Sequence, residues 1–378
     1  MRIHDFFVFR VSTSRGSLHL YCFGALASIT AYYLISDHLI DKKRRQIIAE
    51  RKTQKKGLYE SLMIGGRFVN PFETWRDKTL WDFVRWIATR STGNGLPNDR
   101  QILDTELPLA IPHFALLNAF RQHQNLSAAP LPVEYSDCPA VDSVDGDKSL
   151  TMQGLNILTD PIFKRRTVYS WLGPERLRPV PCQLSDLPHP DIVLVSHNTS
   201  TTWTSTLSAH WPILSPGLAS WFSGLGVTSV VELDWWAEDT VTHWSGRNGA
   251  DSNKSLWSSF LVKTSSASIF HCGDTGYCPV FDQVGAKYGP MSLAILPIGS
   301  YEPRWYMCHQ HTNPEDAVLI HRDLRAKASV GVHWGTFMMS DEHYLQPPRD
   351  LEIAAKKYGL GLEEFIAPQF GKTYVYDL

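Results

Sequence analysis

"VLVSHNTSTTW", residues 193–203, decides how this chain is read. Val193, Leu194 and Val195 form a short apolar run that predicts a buried strand, and the strand delivers Ser196 and His197 to its end. Strand ends are where layered α/β proteins gather ligands and catalytic groups. If His197 held a metal, further imidazoles or carboxylates would be expected next, because a catalytic zinc takes three protein ligands and keeps one position open. The chain instead supplies Thr199, Ser200, Thr201, Thr202 and Trp203. His197 is therefore either a ligand whose partners come from distant segments or a structural residue.

The same plan recurs outward from this stretch. "LNILTDPIF" (155–163), "TSVVELDWW" (228–236), "SASIFHCGDTG" (266–276), "SLAILPIGSYEPRW" (292–305) and "ASVGVHWGTF" (328–337) are each an apolar run that ends in polar or aromatic residues. "NPEDAVLIHRDLRAK" (313–327) has helical spacing, with Asn313 as N-cap and Pro314 at the first helical position. Strands alternating with punctuated loops and a helix predict a layered α/β protein. Four groups stand at its strand ends and loops: His197, His243 in "THWSGR", Asp274 in "CGDTG" and His333 in "VHWGT". Gly273 and Gly276 allow a sharp turn that presents the Asp274 carboxylate. Imidazole and carboxylate are zinc ligands, and their spread along the chain excludes a local zinc-finger spacing.

A net charge of −2 gives no case for nucleic acid as a partner. The six cysteines form no CxxC pair and read as reduced thiols of an intracellular protein. Residues 16–36 carry no formal charge and approach the roughly 20 residues that cross a bilayer, so they predict a transmembrane or signal-anchor helix within an N-terminal segment, 1–36. A cleaved signal and an organellar targeting segment are the alternatives. The stretch 41–56 has eight Lys/Arg against two acids, which places the body on the cytosolic or matrix side of the mitochondrial inner membrane or an endomembrane. Residues 37–64 read as a basic, partly helical linker and 65–378 as the main domain, with 90–150 as loops and short helices.

The blocks "GRFVNP", "ILTDPIF", "VSHN", "ELDWW", "HWSGR", "CGDTGYCPVF", "PIGSYEPRW", "QHTNPEDAV", "HWGTF" and "EHYLQPP" together resemble N-acyl-phosphatidylethanolamine phospholipase D, a family of the metallo-β-lactamase superfamily. The resemblance runs from about residue 65 to the C-terminus. It implies an αββα sandwich with a zinc pair at one edge of its two sheets. It also implies hydrolysis of N-acyl-phosphatidylethanolamine to phosphatidic acid and an N-acylethanolamine, with a phospholipid membrane as partner and a homodimer as an open reading. His197, His243 and the bridging Asp274 match ligands of the first zinc, and Asp274 and His333 match ligands of the second. The family's other ligands fall at 199, 201 and 202, where this chain has threonines, so one zinc or fewer is expected. His311, Gln310 and Tyr301 fall on the substrate side, with Glu302 and Arg304 at the rim and Asp234 behind a ligand histidine. Two readings follow: a zinc phosphodiesterase, or a catalytically impaired relative or truncated isoform that keeps the fold.

Overall fold

Burial is continuous along the central strands of the C-terminal half, and those strands build the core. The protein is seen in a computed structural model that describes residues 15–54, 57–90, 94–112, 133–142, 146–152, 155–167, 171–187, 190–196, 211–214, 231–234, 236, 240–244, 256–361 and 363–376. It divides into two units, 1–56 and 57–378.

The first unit is helix α1 (Arg15–Gln54), 40 residues long. It corrects the expectation of a membrane span: no helix among the described residues is long and apolar enough to cross a membrane. Ser17, His19, Ser28 and Thr30 interrupt the uncharged stretch, and the helix runs on without a break into the basic residues 42–45. The orientation inferred from the basic run falls with the span.

The second unit opens with a hairpin, β1 (Leu62–Ile64) and β2 (Arg67–Val69). Gly65 and Gly66 join them with φ of +61° and +75°, the positive values a tight two-residue hairpin turn requires. Helix α2 (Leu80–Thr89) starts on a capping box in which the Thr79 side chain accepts from Asp82 N and Asp82 accepts from Thr79 N. Helix α3 (Arg100–Glu106) follows, N-capped by Asp99.

Two sheets carry the fold. The first has the order β15-β3-β4-β5-β6-β7-β8, made of β3 (Val133–Asp142), β4 (Gly146–Met152), β5 (Leu155–Thr159), β6 (Ile192–Val195), β7 (Trp211–Leu214), β8 (Val231–Glu232) and β15 (Thr373–Tyr376). The second has the order β14-β13-β12-β11-β10-β9, made of β9 (Thr240–Trp244), β10 (Leu256–Lys263), β11 (Ser268–His271), β12 (Leu293–Pro297), β13 (Ala328–Val332) and β14 (Phe365–Ile366). Strands β3 and β4 lie in the stretch read as loops. Pro139 hides β3 from the sequence: it cannot donate to a ladder, and the β3–β4 register shifts between Ser136 and Val141.

Ile157 and Leu194 of the first sheet pack against Phe260, Ile269, Leu293, Ile295 and Val330 of the second. On the other face of the second sheet, Phe270, Ala294 and Leu296 meet α4 (Val280–Tyr288), α6 (Pro314–Asp323) and α7 (Gln346–Tyr358) through Val284, Val318 and Leu351. Strands buried on both faces read as continuous apolar runs, which is why β12 and β13 were plain in the sequence. Each fully buried Leu, Ile or Phe here contributes about 1.5–3 kcal/mol relative to exposure. Helix α6 begins as its sequence predicts, with Asn313 at the N-cap, Pro314 in the first turn and Asp316 closing a capping box. Cys272, Cys278 and Cys308 are free, but Cys182 is disulfide-bonded, which corrects the reading of all six cysteines as thiols. No local cysteine spacing announces that bond.

Candidate metal centre

Strand β11 hands the chain to Cys272, Gly273 and Asp274. Gly273 has φ of +64°, and a Cβ there would stand 2.7 Å from the Ser258 carbonyl, so only glycine fits the turn. Asp274 is 3% exposed. At the end of β13, His333 also adopts a left-handed backbone, φ +63°, an uncommon state that clusters at functional sites. Its Nε2 lies 3.1 Å from Asp274 Oδ1, and its Nδ1 lies 3.3 Å from the Gly299 carbonyl. A Cβ on Gly299 would come within 1.8 Å of the His333 carbonyl, so this approach also needs glycine.

His311 arrives from the loop after the short helix α5 (Arg304–Met307). Its Nδ1 stands 3.9 Å from Asp274 Oδ2, and its ring stacks on His333 with centroids 5.1 Å apart. Arg304 holds that loop: Nη1 donates to His311 O at 2.9 Å and Nη2 to Asp316 Oδ2 at 2.5 Å. Thr312 Oγ1 donates to Pro297 O at 2.7 Å, pinning the loop to the end of β12. One potential ligand atom from each of Asp274, His311 and His333 lies within 4.8 Å of the others, the sole such group among the described residues. A buried carboxylate with two imidazoles is the donor chemistry of a zinc-type ion, so the residues present fit a divalent cation.

A β-lactamase superfamily domain matches residues 218–334. The mitochondrial N-acyl-phosphatidylethanolamine-hydrolysing phospholipase D of Saccharomyces cerevisiae is 33% identical over 365 residues, covering 84% of this chain and 77% of that protein. The N-acyl-phosphatidylethanolamine-hydrolysing phospholipase D 1 of Caenorhabditis elegans is 33% identical over 344 residues, covering 82% of this chain and 92% of that protein. The chain belongs to this phospholipase D family. An isothiocyanate hydrolase from Delia radicum gut bacteria aligns with a TM-score of 0.50 at 15% identity, over 64% of this chain and 98% of that one, which supports the shared fold. The chain is thus a metallo-hydrolase of the phospholipase D type, built on a metallo-β-lactamase fold.

Of the residues that the sequence singled out in this phospholipase D relative, the structure brings together Asp274, His333 and His311. His197 lies outside the described residues. His243 sits on β9 opposite Trp257, and only its backbone is described. Gln310 Oε1 accepts from Lys78 Nζ at 2.5 Å. Burial lowers the Lys78 ammonium to about 8, and its charge stands 4.0 Å over the Tyr306 ring. Tyr301 is buried and its hydroxyl donates to Asp350 Oδ2 at 2.6 Å. Burial and the Asp350 carboxylate raise that phenol above its ordinary range. Asp234 Oδ2 accepts from Ser61 Oγ at 3.0 Å. A cavity of about 220 Å³ lined by Trp75, Gly276, Arg304 and His309 lies beside the loop, but none of Asp274, His311 and His333 lines it.

The sequence reading missed Asp160 and His271. Asp160 Oδ1 accepts from Ser196 N at 2.7 Å, and Oδ2 lies 2.9 Å from His271 Nε2. Asp160 follows β5 in one sheet and His271 ends β11 in the other, so the pair crosses the sandwich three residues before Asp274. Ser258 N adds a second crossing by donating to Ser196 O at 2.8 Å. The available signal is Asp-Pro in "LTDP", a turn dipeptide at the end of an apolar run; Asp160 does turn, with φ of +41°.

Proposed function

We propose that this chain hydrolyses the phosphodiester of N-acyl-phosphatidylethanolamine, releasing phosphatidic acid and an N-acylethanolamine, with zinc as its metal. The convergence of Asp274, His311 and His333 carries this reading, and the phospholipid substrate named for the yeast and nematode relatives supports it. His197, His243 and Asp274 are the three ligands the family implies for one ion, and Asp274 with His333 are those it implies for a second, weaker site. A divalent cation in this site supplies Lewis-acid stabilisation of phosphoryl charge and lowers the pKa of water.

The chain's own residues set the geometry. A proton on His333 Nδ1, directed at the Gly299 carbonyl, leaves Nε2 as the nitrogen presented to the site. His311, farther from Asp274 than His333 is, faces the phosphoryl group. Arg304 fixes its backbone, so the imidazole enters the site without loop reordering.

A lipid-cleaving site must reach a bilayer, and α2 offers the means. Leu80, Phe83, Val84 and Ile87 follow helical one-face spacing and are exposed, and Trp81 beside them is 72% exposed. Arg85 lies 4.5 Å over the Trp305 ring, and Trp86 stacks on Tyr306 at 5.0 Å, so the helix is tied to the α5 segment that leads to His311. An exposed apolar face with arginine at its border suits the interface of an anionic leaflet. Leu80→Ser with Trp81→Ser is expected to weaken sedimentation with anionic vesicles by at least about tenfold. Turnover of a micellar short-chain substrate should stay near the parent's. Unchanged vesicle binding would remove α2 from the membrane contact. The mitochondrial designation of the yeast relative supports a mitochondrial location.

The alternative is an impaired relative, favoured by Thr199, Thr201 and Thr202 where the family places ligands. Elemental analysis after dialysis is expected to give about one zinc per chain, because three ligands suffice for a catalytic ion and two do not. Assay with N-acyl-phosphatidylethanolamine in mixed micelles then separates the readings. No turnover at full metal loading would leave the impaired relative.

A further inference from the structure

A second charged cavity, of about 670 Å³, lies between α3 and the 163–180 segment. Arg100, Arg165, Arg176 and Arg178 line it with Asp104 and Glu175, so four guanidiniums face two carboxylates. The carboxylates do not neutralise it. Glu175 is shared, accepting from Arg165 Nε at 2.6 Å and from Arg166 Nη2 at 2.5 Å. Arg176 donates to two neutral acceptors, the carbonyls of Lys164 at 3.0 Å and Ile162 at 2.5 Å. Arg178 pairs with Asp104 through Nη1, while its Nε is buried and has no hydrogen-bond acceptor among the described residues. Burial, and secondarily the Arg100 charge, depress the Arg178 pKa.

The rest of the lining is apolar, with Phe163, Leu177 and Val180. None of Asp274, His311 and His333 lines the cavity, yet it touches the segment that follows His333: Leu177 N donates to Thr336 O at 2.9 Å, and the Arg176 guanidinium lies 5.3 Å over the Phe337 ring.

We propose that this cavity binds a phosphomonoester dianion, the arginines taking the phosphate and the apolar wall taking the first carbons of any chain it carries. Arginine forks match phosphate oxygens in pairs, and the apolar side distinguishes a lipid headgroup from free phosphate. The inference stands apart from the catalytic reading.

Titration calorimetry on the intact chain tests it with three probes: inorganic phosphate, dihexanoyl phosphatidic acid and dihexanoyl phosphatidylcholine. The phosphatidic acid is expected to bind and to weaken as salt rises, while the choline lipid does not bind. Arg100→Gln with Arg178→Gln should weaken that binding about tenfold or more, the loss expected for charge-assisted hydrogen bonds. Arg100→Gln alone, at an exposed position, should show part of the loss and covers the case where the double variant fails to fold. Phosphate binding as tightly as the lipid would identify a free phosphomonoester as the ligand; lipid-only binding would identify a headgroup. Affinity unchanged in folded arginine variants overturns the proposal. So does binding that vanishes in Asp274→Asn and survives in the arginine variants, since that site is the metal centre.

Discussion

Asp274→Asn is expected to strip the protein of its metal and reduce turnover by more than about 100-fold, beyond the roughly 10–100-fold that changes behind a ligand cost. The substitution keeps size and shape and removes one negative charge. That charge lies 3.1 Å from one imidazole and 3.9 Å from the other, so it holds the donor set together whichever of them ligates. His311→Ala is the informative partner. It is expected to keep its metal and lose roughly 100-fold in turnover, as removal of one contact to developing phosphoryl charge does. Zinc analysis and kinetics on both variants in parallel check the pair. Metal and activity retained in Asp274→Asn would end the metallo-hydrolase mechanism for this chain, and metal lost in His311→Ala would make His311 a ligand.

Asp160→Ala carries the largest expected effect on stability, about 3 kcal/mol. It leaves Ser196 N and His271 Nε2 without their shared acceptor at positions no more than 2% exposed, and each unmet buried group costs about 1–3 kcal/mol. Asp160→Asn should cost less than half as much, because its amide oxygen still accepts from Ser196 and its NH₂ can meet a His271 nitrogen. Urea midpoints at matched slope read the difference. Equal losses in the two variants would mean that the carboxylate charge, not the hydrogen bonding, holds this edge.

The core strands were legible because burial on both faces writes itself as unbroken apolar runs, as in "LAILP" and "ASVGV". Helix α6 was legible from local chemistry, Asn313 with Pro314 and Asp316. Asp274 showed through the glycines its turn demands, and His333 through its place at the end of an apolar run. Other features depend on distant residues and left no local mark. Strand β3 carries Pro139 where its register with β4 shifts, and is held by β4 and β15, the latter far away in sequence. Asp160 meets His271 across 111 positions of chain. The N-terminal stretch misled in the opposite direction: it is uncharged and mostly apolar, yet Ser17, His19, Ser28 and Thr30 leave its helix short of the apolarity a span needs.

The packing around the centre also bears on how such a site would erode. Gly273 and Gly299 are demanded by the carbonyls of Ser258 and His333, contacts that exist whether or not any lipid is ever cleaved. Drift in an idle descendant would therefore leave the "CGDTG" and "GS" turns in place for the sake of the sandwich, and the glycines are poor witnesses to use. The imidazoles are better ones. Their rings stack on each other beside Asp274, and an apolar or aromatic replacement would serve the packing at least as well. A lineage freed from catalysis would shed them early; this chain keeps His311 and His333 while carrying threonines at 199, 201 and 202.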